Sequence, residues 1–286
     1  RMLDMGFRDD IHEIAAQTAR KRQTLLFSAT YPPNIEELSR SLQHKPVRIS
    51  VPSTHQASSI QQRVIMGPRN QKPEVLIKAI QHFNVQQGII FCNTRPDVEA
   101  VAQWLRNHGY TALALHGDLE QSDREEIYVR FKNGSSHFLV ATDVAARGLD
   151  VDDLPAVVNY DLPREREVYT HRIGRTGRAG STGLAISLAY EKDSFKISAI
   201  NALQEQDMLE YGVEKLCRKA DNVEKPKMVT LCFAAGRKEK LRPGDILGAL
   251  TAEGGVPGAG IGKIDVLDQV AYVAVERQHA RQALEH

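Results

Sequence analysis

The chain has 286 residues, of which 42% are hydrophobic and 26% charged, and its formal net charge is +1. This is enough apolar material for at least two cores, and no apolar run approaches the roughly 18 residues that would span a membrane. The cysteines Cys92, Cys217 and Cys232 have neither zinc-site nor disulfide spacing, so we expect reduced thiols in a soluble, cytoplasmic protein. The small net charge hides a local excess of arginine: Arg164, Arg166, Arg172, Arg175 and Arg178.

Residues 1–50 have the pattern of helix, strand, turn, helix and strand. The strands are predicted at 24–27 and 46–50, and the second helix at 33–42. This pattern is typical of the trailing part of an α/β domain, so we expect the chain to begin inside that domain. The small polar residues 51–59 then suit a flexible linker.

Between residues 60 and 213, short apolar runs alternate with amphipathic helical patterns. Such runs have the length of strands buried on both faces, and the alternation predicts a parallel sheet with helices on both sides. The strands are predicted at 88–91, 112–115, 138–141, 156–159 and 183–188, and the helices at 97–108 and 122–132. Polar segments follow several of these strands, at the edge where open α/β sheets bind ligands.

The charged stretch 214–227 is predicted to be a second linker. Residues 228–286 then have the order of an RNA recognition motif without its last strand, so we expect the chain to stop inside this α+β domain. Its strands are predicted at 228–234, 262–266 and 269–276, and its helices at 243–252 and 277–285. The glycine-rich loop between them is not a phosphate loop, because Pro257 replaces a required glycine and Ile264 replaces the Ser or Thr that binds magnesium.

The segment from His171 to Gly180 carries the strongest functional signal. It places Arg175 and Arg178 three residues apart, among glycines that let the backbone approach a ligand. A guanidinium keeps its charge and presents forked donors, which suits the oxygens of a transferring phosphoryl group. Taken alone, the segment also fits a solvated basic turn.

Six segments resemble motifs of the DEAD-box RNA helicases and occur in the family's order. They are residues 1–7, 28–30, 89–94, 116–124, 140–150 and 171–180. Residues 1–7 resemble the sequence directly after the family's Asp-Glu-Ala-Asp motif, so the phosphate loop and the acidic metal ligands would precede this chain. The resemblance implies two RecA-like helicase domains, residues 1–50 being the end of the first and 60–213 the second, with residues 228–286 as an RNA-recognition-motif-like domain.

The resemblance also implies a nucleotide site between the helicase domains. Arg175 and Arg178 match arginine fingers that act on the ATP phosphates, and Asp150 matches an aspartate that holds the ribose. His171 matches a residue of the interdomain contact that couples closure to chemistry. Mg²⁺ would accompany ATP with its ligands outside these 286 residues, and no metal site is expected within them.

Other residues match positions that hold the RNA backbone: Gly117, Arg124, Thr142 and Arg147. Amides, hydroxyls and guanidiniums aimed at phosphates supply affinity without reading sequence. Ser28 and Thr30 match groups that link hydrolysis to strand separation. Structural roles fit as well, since Thr142 and Ser28 also suit ordinary turns and Asp150 also suits a helix cap.

A tail of this kind behind a DEAD-box core resembles the DbpA subfamily of bacterial helicases, which implies structured large-subunit ribosomal RNA as the partner. The predicted contact residues are basic: Arg237, Lys238 and Lys240, with Arg242 and Lys263 beside them. The same residues also suit an ordinary solvated surface. Phe233 and Tyr272 are candidates for stacking on bases, but strand alternation alone leaves open whether each lies in the core.

The predicted function is therefore that of an ATP-dependent RNA helicase, a monomer that unwinds local duplexes of ribosomal RNA during large-subunit assembly. Because the phosphate loop would lie outside the sequence, a non-enzymatic RNA-binding fragment is the first alternative. A DNA helicase with the same fold is the second.

Overall fold

The computed structural model of the chain describes all residues except 1–6, 28–32, 51–59, 148, 150, 152, 178–181, 203, 205–206, 218–222 and 286. The chain separates into two compact units, residues 1–53 and 54–286. Among the described residues, no helix combines the length and the apolar character that crossing a lipid bilayer requires.

The first unit contains two helices, α1 (Arg8–Ala16) and α2 (Pro33–Leu42). The predictions of strands at 24–27 and 46–50 are wrong, since the described residues there form no regular element. A strand needs a neighbour for its backbone N–H and C=O groups, and the described residues of this unit offer none. Most apolar side chains of both segments are consequently exposed, Phe27 by 89% and Val47 by 86%.

The second unit contains a parallel sheet in which the structure describes seven strands, in the order β3-β4-β2-β5-β6-β1-β7. They are β1 (Ile60–Met66), β2 (Gly88–Phe91), β3 (Ala112–Leu115), β4 (Phe138–Ala141), β5 (Ala156–Asn159), β6 (Gly183–Ala189) and β7 (Leu209–Gly212). The five predicted strands are confirmed to within one residue. The other two were missed, because β1 mixes polar residues into its apolar pattern and β7 is a short, partly exposed edge strand.

Helices cover both faces of this sheet. They are α3 (Lys72–His82), α4 (Arg95–Asn107), α5 (Gln121–Lys132), α6 (Asp143–Ala146), α7 (Arg166–Ile173) and α8 (Ser194–Asn201). Helix α4 begins two residues before its predicted start, because the Thr94 hydroxyl accepts the Asp97 N–H and Pro96 lies in the first turn. Helix α5 ends where predicted, with Gly134 at a φ of +69°. Residues 60–217 are called the sheet domain below.

Residues 228–285, called the tail, form an antiparallel sheet in the order β8-β10-β9. Its elements are β8 (Met228–Phe233), α9 (Pro243–Gly248), β9 (Ile261–Val266), β10 (Ala271–Glu276) and α10 (Ala280–Glu285). The two predicted helices are each divided: a π-helical turn, Ala249–Glu253, follows α9, and a 3₁₀ turn, Arg277–His279, precedes α10. The wider π turn keeps Leu250 in the tail core. Within the described residues β8 pairs with β10 alone, so its other edge is the place where a further strand would pair.

The predicted second linker, 214–227, is partly packed on the sheet domain. Leu216 is buried in the main core of that domain, and Val223 packs against the same core. Both are apolar residues within an otherwise charged stretch, and their burial is the physical reason for the difference from a free linker.

Candidate functional site

The loops that follow β4, β2 and β5 meet at the carboxyl edge of the sheet, because these three strands are neighbours at its centre. Asn93 follows β2, Asp143 follows β4 and Asp161 follows β5. The side chains of Asn93 and Asp143 and the backbone carbonyl oxygen of Asp161 all accept hydrogen bonds from one guanidinium, that of Arg172 on α7. The predicted site edge is therefore formed by side chains from separate segments of the sequence.

Arg172 is the centre of this arrangement and is only 2% exposed. Its Nε and Nη2 atoms donate to the two carboxylate oxygens of Asp143 over 2.6 and 2.7 Å. The other donors reach Asn93 Oδ1 at 3.1 Å, Asn159 Oδ1 at 3.1 Å and the carbonyl oxygen of Asp161 at 2.6 Å. A buried cation is tolerated only with such partners. Sequence reasoning counted Arg172 within a basic cluster and missed this role.

Asp161 supports the same loops from the side. Its Oδ1 accepts from Lys72 Nζ at 2.6 Å, and its Oδ2 accepts from the backbone N–H of Asn93 at 3.0 Å. Lys72 Nζ also lies 4.5 Å from the centre of the Tyr160 ring, a favourable cation–π distance. Asn93 Nδ2 donates to the carbonyl oxygen of Leu162 at 2.9 Å. These contacts fix the loop after β2 against the loop after β5.

Arg175 lies just beyond α7 and is half-buried. Its Nη1 donates to the carbonyl oxygen of Leu149 at 3.1 Å, and its own carbonyl oxygen accepts from the N–H of Leu154 at 3.0 Å. The Thr176 hydroxyl donates to the carbonyl oxygen of Leu154. The structure thus joins Arg175 to Leu149 and Leu154.

Several predicted residues can be placed only in part. His171 is exposed on the last turn of α7. Arg178, Asp150, Ser28 and Thr30 lie outside the described residues, so their predicted roles stay predictions.

Thr142 and Arg124 converge on the short helix α6. The Thr142 hydroxyl accepts from the backbone N–H of Ala145 at 3.4 Å, so this threonine caps the helix. Arg124 on α5 donates from Nη2 to the carbonyl oxygen of the same Ala145 at 3.4 Å. Arg147 directly follows α6 and is half-buried. These three predicted RNA contacts therefore come from neighbouring elements at one end of the sheet.

Gly117 lies after β3, beneath the guanidinium of Arg95. A Cβ atom at Gly117 would lie 3.6 Å from Arg95 Nη2, an ordinary van der Waals distance. Arg95 also forms an ion pair with Asp118, and both side chains are 59% exposed. Arg95 is a cation at the first position of α4, beside a backbone that approaches closely. Sequence reasoning missed it, although its position next to Thr94 was a usable signal.

The basic loop of the tail is held by its backbone. The N–H groups of Arg237 and Lys238 donate to the carbonyl oxygens of Leu267 and Asp268, in the turn between β9 and β10, over 2.8 and 3.0 Å. The side chains of Arg237, Lys238 and Lys240 are exposed, and Arg237 lies 3.8 Å from Asp268 Oδ1. The loop therefore presents cations from a fixed backbone.

The two tail aromatics lie on opposite faces of the tail sheet. Phe233 packs into the tail core between the sheet and its helices. Tyr272 pairs with Cys232 across β10 and β8 and is 6% exposed on the other face. Desolvation, with smaller contributions from Cys232 and from the Glu126 carboxylate on α5, raises the pKa of the Tyr272 hydroxyl to about 12. Tyr272 is therefore too little exposed for base stacking, and Phe233 is a half-buried part of the tail core.

The described residues include no group of three or more His, Cys, Asp or Glu side chains that could hold a metal ion.

Comparison with protein families gives a match in each part of the chain. Residues 1–38 match the DEAD/DEAH box helicase family, 71–180 match the helicase conserved C-terminal domain, and 230–286 match the DbpA RNA binding domain. The second of these matches contains Arg172, Arg175 and the loops around them.

The chain is 44% identical to the ATP-dependent RNA helicase DbpA of Escherichia coli over 99% of its length, and 36% identical to DbpA of Bacillus subtilis over 96%. It spans 62% of the length of each of these relatives.

Solved structures agree with these matches. The Escherichia coli DEAD-box protein SrmB, in a complex with the regulator RraA, is 34% identical over 56% of this chain and 95% of its own, with a TM-score of 0.52. Saccharomyces cerevisiae Dbp5 bound to RNA and ADP BeF3 is 29% identical over 72% of this chain and 55% of its own, with a TM-score of 0.64. The chain thus belongs to the DEAD-box helicase family and carries a DbpA-type RNA-binding domain.

Proposed function

We propose that the protein is an ATP-dependent RNA helicase that couples ATP hydrolysis to local unwinding of RNA duplexes. The observation that carries the proposal is the buried Arg172, which joins the three loops of the carboxyl edge into one rigid arrangement. Such rigidity is what an enzyme needs in order to present charge to a transferring phosphoryl group.

In this proposal Arg175 and Arg178 act on the β- and γ-phosphates of ATP, and Asp150 holds the ribose. Arg175 fits this role because its half-buried guanidinium is oriented by Leu149 at the ligand-binding edge of the sheet. ATP supplies the phosphoanhydride bond that is broken, and Mg²⁺ would be held by acidic residues outside this sequence. His171 is assigned to the contact that couples domain closure to chemistry.

The RNA backbone is assigned to the end of the sheet formed by α4, α5 and α6. Gly117, Arg124, Thr142 and Arg147 contribute the predicted contacts, and we add Arg95 because it overlies Gly117. These groups recognise phosphates and sugars, so they bind RNA of any sequence. Ser28 and Thr30 are assigned to the coupling of hydrolysis with strand separation.

Target choice is assigned to the tail, whose loop presents Arg237, Lys238 and Lys240 to solvent. The 44% identity with a DbpA over nearly the whole chain supports structured large-subunit ribosomal RNA as the target, with a role in assembly of that subunit. We also propose domain boundaries at 1–50, 60–213 and 228–286, and a monomer in the cytoplasm. The three cysteines, which are all free thiols, suit that location.

The test uses a protein extended to the full length of the DbpA relatives. ATP hydrolysis is measured with a large-subunit ribosomal RNA hairpin, an unrelated RNA hairpin of equal length, and DNA of the ribosomal sequence. We expect strong stimulation by the ribosomal hairpin, weak stimulation by the unrelated RNA and none by DNA. Equal stimulation by DNA would favour a DNA helicase, and no hydrolysis with any nucleic acid would favour a non-enzymatic RNA-binding protein.

A further inference from the structure

Residues 223–227, called the strap, lie between the sheet domain and the tail and contact both. On the sheet-domain side, Val223 packs against the main core, and the Glu224 carbonyl oxygen accepts a hydrogen bond from His137 Nε2 at 2.8 Å. Pro226 of the strap is itself buried. The strap is therefore attached to the sheet domain by one side-chain hydrogen bond and by apolar packing.

On the tail side, Arg277 holds the other end of the strap. Its Nε donates to the carbonyl oxygen of Pro226 at 2.7 Å, and its backbone N–H donates to the carbonyl oxygen of Lys227 at 2.7 Å. Arg277 directly follows β10, so the strap is fixed to the central strand of the tail sheet. The Thr230 hydroxyl makes two further polar contacts between the sheet domain and the tail, with the Ser135 hydroxyl at 2.7 Å and with Asn133 Nδ2, which donates to it over 3.5 Å.

The partners of His137 determine which form of its ring fits. Nδ1 receives the backbone N–H of Thr111 at 3.0 Å, and an N–H group can only donate, so Nδ1 must carry no proton. Nε2 faces the Glu224 carbonyl oxygen, which can only accept, so Nε2 must carry the proton. Only the neutral ring with its proton on Nε2 satisfies both partners.

We propose that His137 is the positioning residue that holds the tail on the sheet domain, and that its neutral imidazole does so more firmly than its imidazolium. A second proton would sit on Nδ1, opposite the Thr111 N–H. That proton could reach the Thr111 hydroxyl at 2.9 Å, but the backbone N–H would then lose its acceptor. The Nε2–H group would still donate to Glu224, so protonation would weaken docking through the cost of burying a charged ring.

The surroundings of the ring also oppose the charge. His137 is 5% exposed, and the Tyr110 ring lies 5.6 Å away. Burial lowers the pKa of His137, the Glu224 carbonyl opposes that shift, and the positive charge of Arg277 lowers the pKa further. Because the docked state disfavours the proton, docking is complete above the ordinary histidine pKa of about 6.5 and weakens as the pH falls below it.

The consequence for RNA rests on the function proposed above. If the tail selects the RNA and the sheet domain grips its backbone, then the strap fixes the direction in which RNA passes from one to the other. The experiment below depends only on the strap, so its result and that of the helicase test can be told apart.

The test measures ¹⁵N relaxation of the 286-residue chain, which gives separate rotational correlation times for the sheet domain and the tail. Measurements are made about one pH unit above and below 6.5. For the unchanged chain we expect the sheet domain and the tail to have equal correlation times at the higher pH, and the tail to tumble faster than the sheet domain at the lower pH.

Two variants separate the roles of the ring nitrogens. His137→Asn keeps an acceptor for Thr111 but cannot reach Glu224, so the tail should tumble faster at both pH values. His137→Gln keeps an uncharged donor near the position of Nε2, so the correlation times of the sheet domain and the tail should stay equal at both pH values. The proposal would be overturned if the sheet domain and the tail of His137→Asn had equal correlation times. It would also be overturned if the tail of His137→Gln tumbled faster at the lower pH, because a group other than His137 would then respond to protonation.

The amide spectrum of the sheet domain reports whether either variant disturbs its fold. If His137→Asn does so, Arg277→Gln replaces it, since that side chain belongs to the tail and holds the other end of the strap. Faster tumbling of the tail in this variant supports the strap, and unchanged tumbling overturns it.

Discussion

The carboxyl edge of the sheet domain and the basic loop of the tail both present arginine and lysine, but they hold them differently. At the edge, the side chain of Arg172 is fixed by five hydrogen bonds and is nearly inaccessible to water. In the loop, the backbone is fixed and the cationic side chains extend into solvent. Fixed side chains, as at the edge, suit the placement of charge at one defined position. Exposed side chains, as in the loop, suit affinity for an extended anionic surface.

The largest effect is expected from Arg175→Ala, which should lower kcat of the full-length protein by about three orders of magnitude, the lower end of the range for arginine fingers. RNA affinity should change little. Arg175→Lys is the matched variant, since it keeps the charge but not the planar fork, and it should also be slow. Turnover and RNA binding are measured separately. If the Arg175→Ala variant kept normal turnover but lost RNA affinity, Arg175 would belong to the RNA-binding surface and not to the nucleotide site.

Arg172→Met should lower the free energy of unfolding of the sheet domain by about 3 kcal/mol, because it leaves Asp143 and the loop carbonyl of Asp161 without their partner. Urea unfolding monitored by circular dichroism measures the change. Arg166→Met on the same helix is the control. Its side chain is 51% exposed and, among the residues that the structure describes, pairs with Glu167 at the surface, so the cost should stay below about 0.5 kcal/mol. Equal costs would contradict the central role of Arg172.

The smallest effect is expected from replacing Arg237, Lys238 and Lys240 together by Gln. The fold should not change, but the salt dependence of RNA binding should weaken by about 0.7 in log–log slope for each contact with single-stranded RNA that is lost. Binding is titrated at several salt concentrations. Arg281→Gln on α10, with a side chain that is 90% exposed, is the matched control. An unchanged slope in the triple variant would show that these residues are merely solvated.

Much of the fold followed from the sequence because strands buried on both faces are continuous apolar runs. That rule failed for β1, whose glutamines and arginine interrupt the run. It also failed for residues 24–27, where an apolar run has no strand to pair with among the described residues. Periodicity reports how much surface a segment can bury, whereas pairing depends on which neighbours are present.

The candidate site could be predicted from the sequence less completely than the fold. Motif resemblance predicted functional roles for Thr142, Arg124 and Arg175, and these roles stay predictions; the structure places Thr142 and Arg124 against Ala145 and Arg175 against Leu149. It did not distinguish Arg172, whose importance comes from loops 11 to 79 residues away in sequence. The position of Tyr272 was equally out of reach, because strand alternation shows that a side chain changes face but not what covers that face.

The path of the strap has a consequence for the order of folding. The chain leaves the sheet at β7, on one edge, packs Leu216 and Val223 on the main core, and then reaches His137, immediately before β4 near the other edge. Five inter-strand spacings separate β7 from β4, about 24 Å. The tail therefore has its docking surface only after the strands between these two have paired. During synthesis, the sheet domain must be complete before the last sixty residues can settle, so docking of the tail would be the final step of folding.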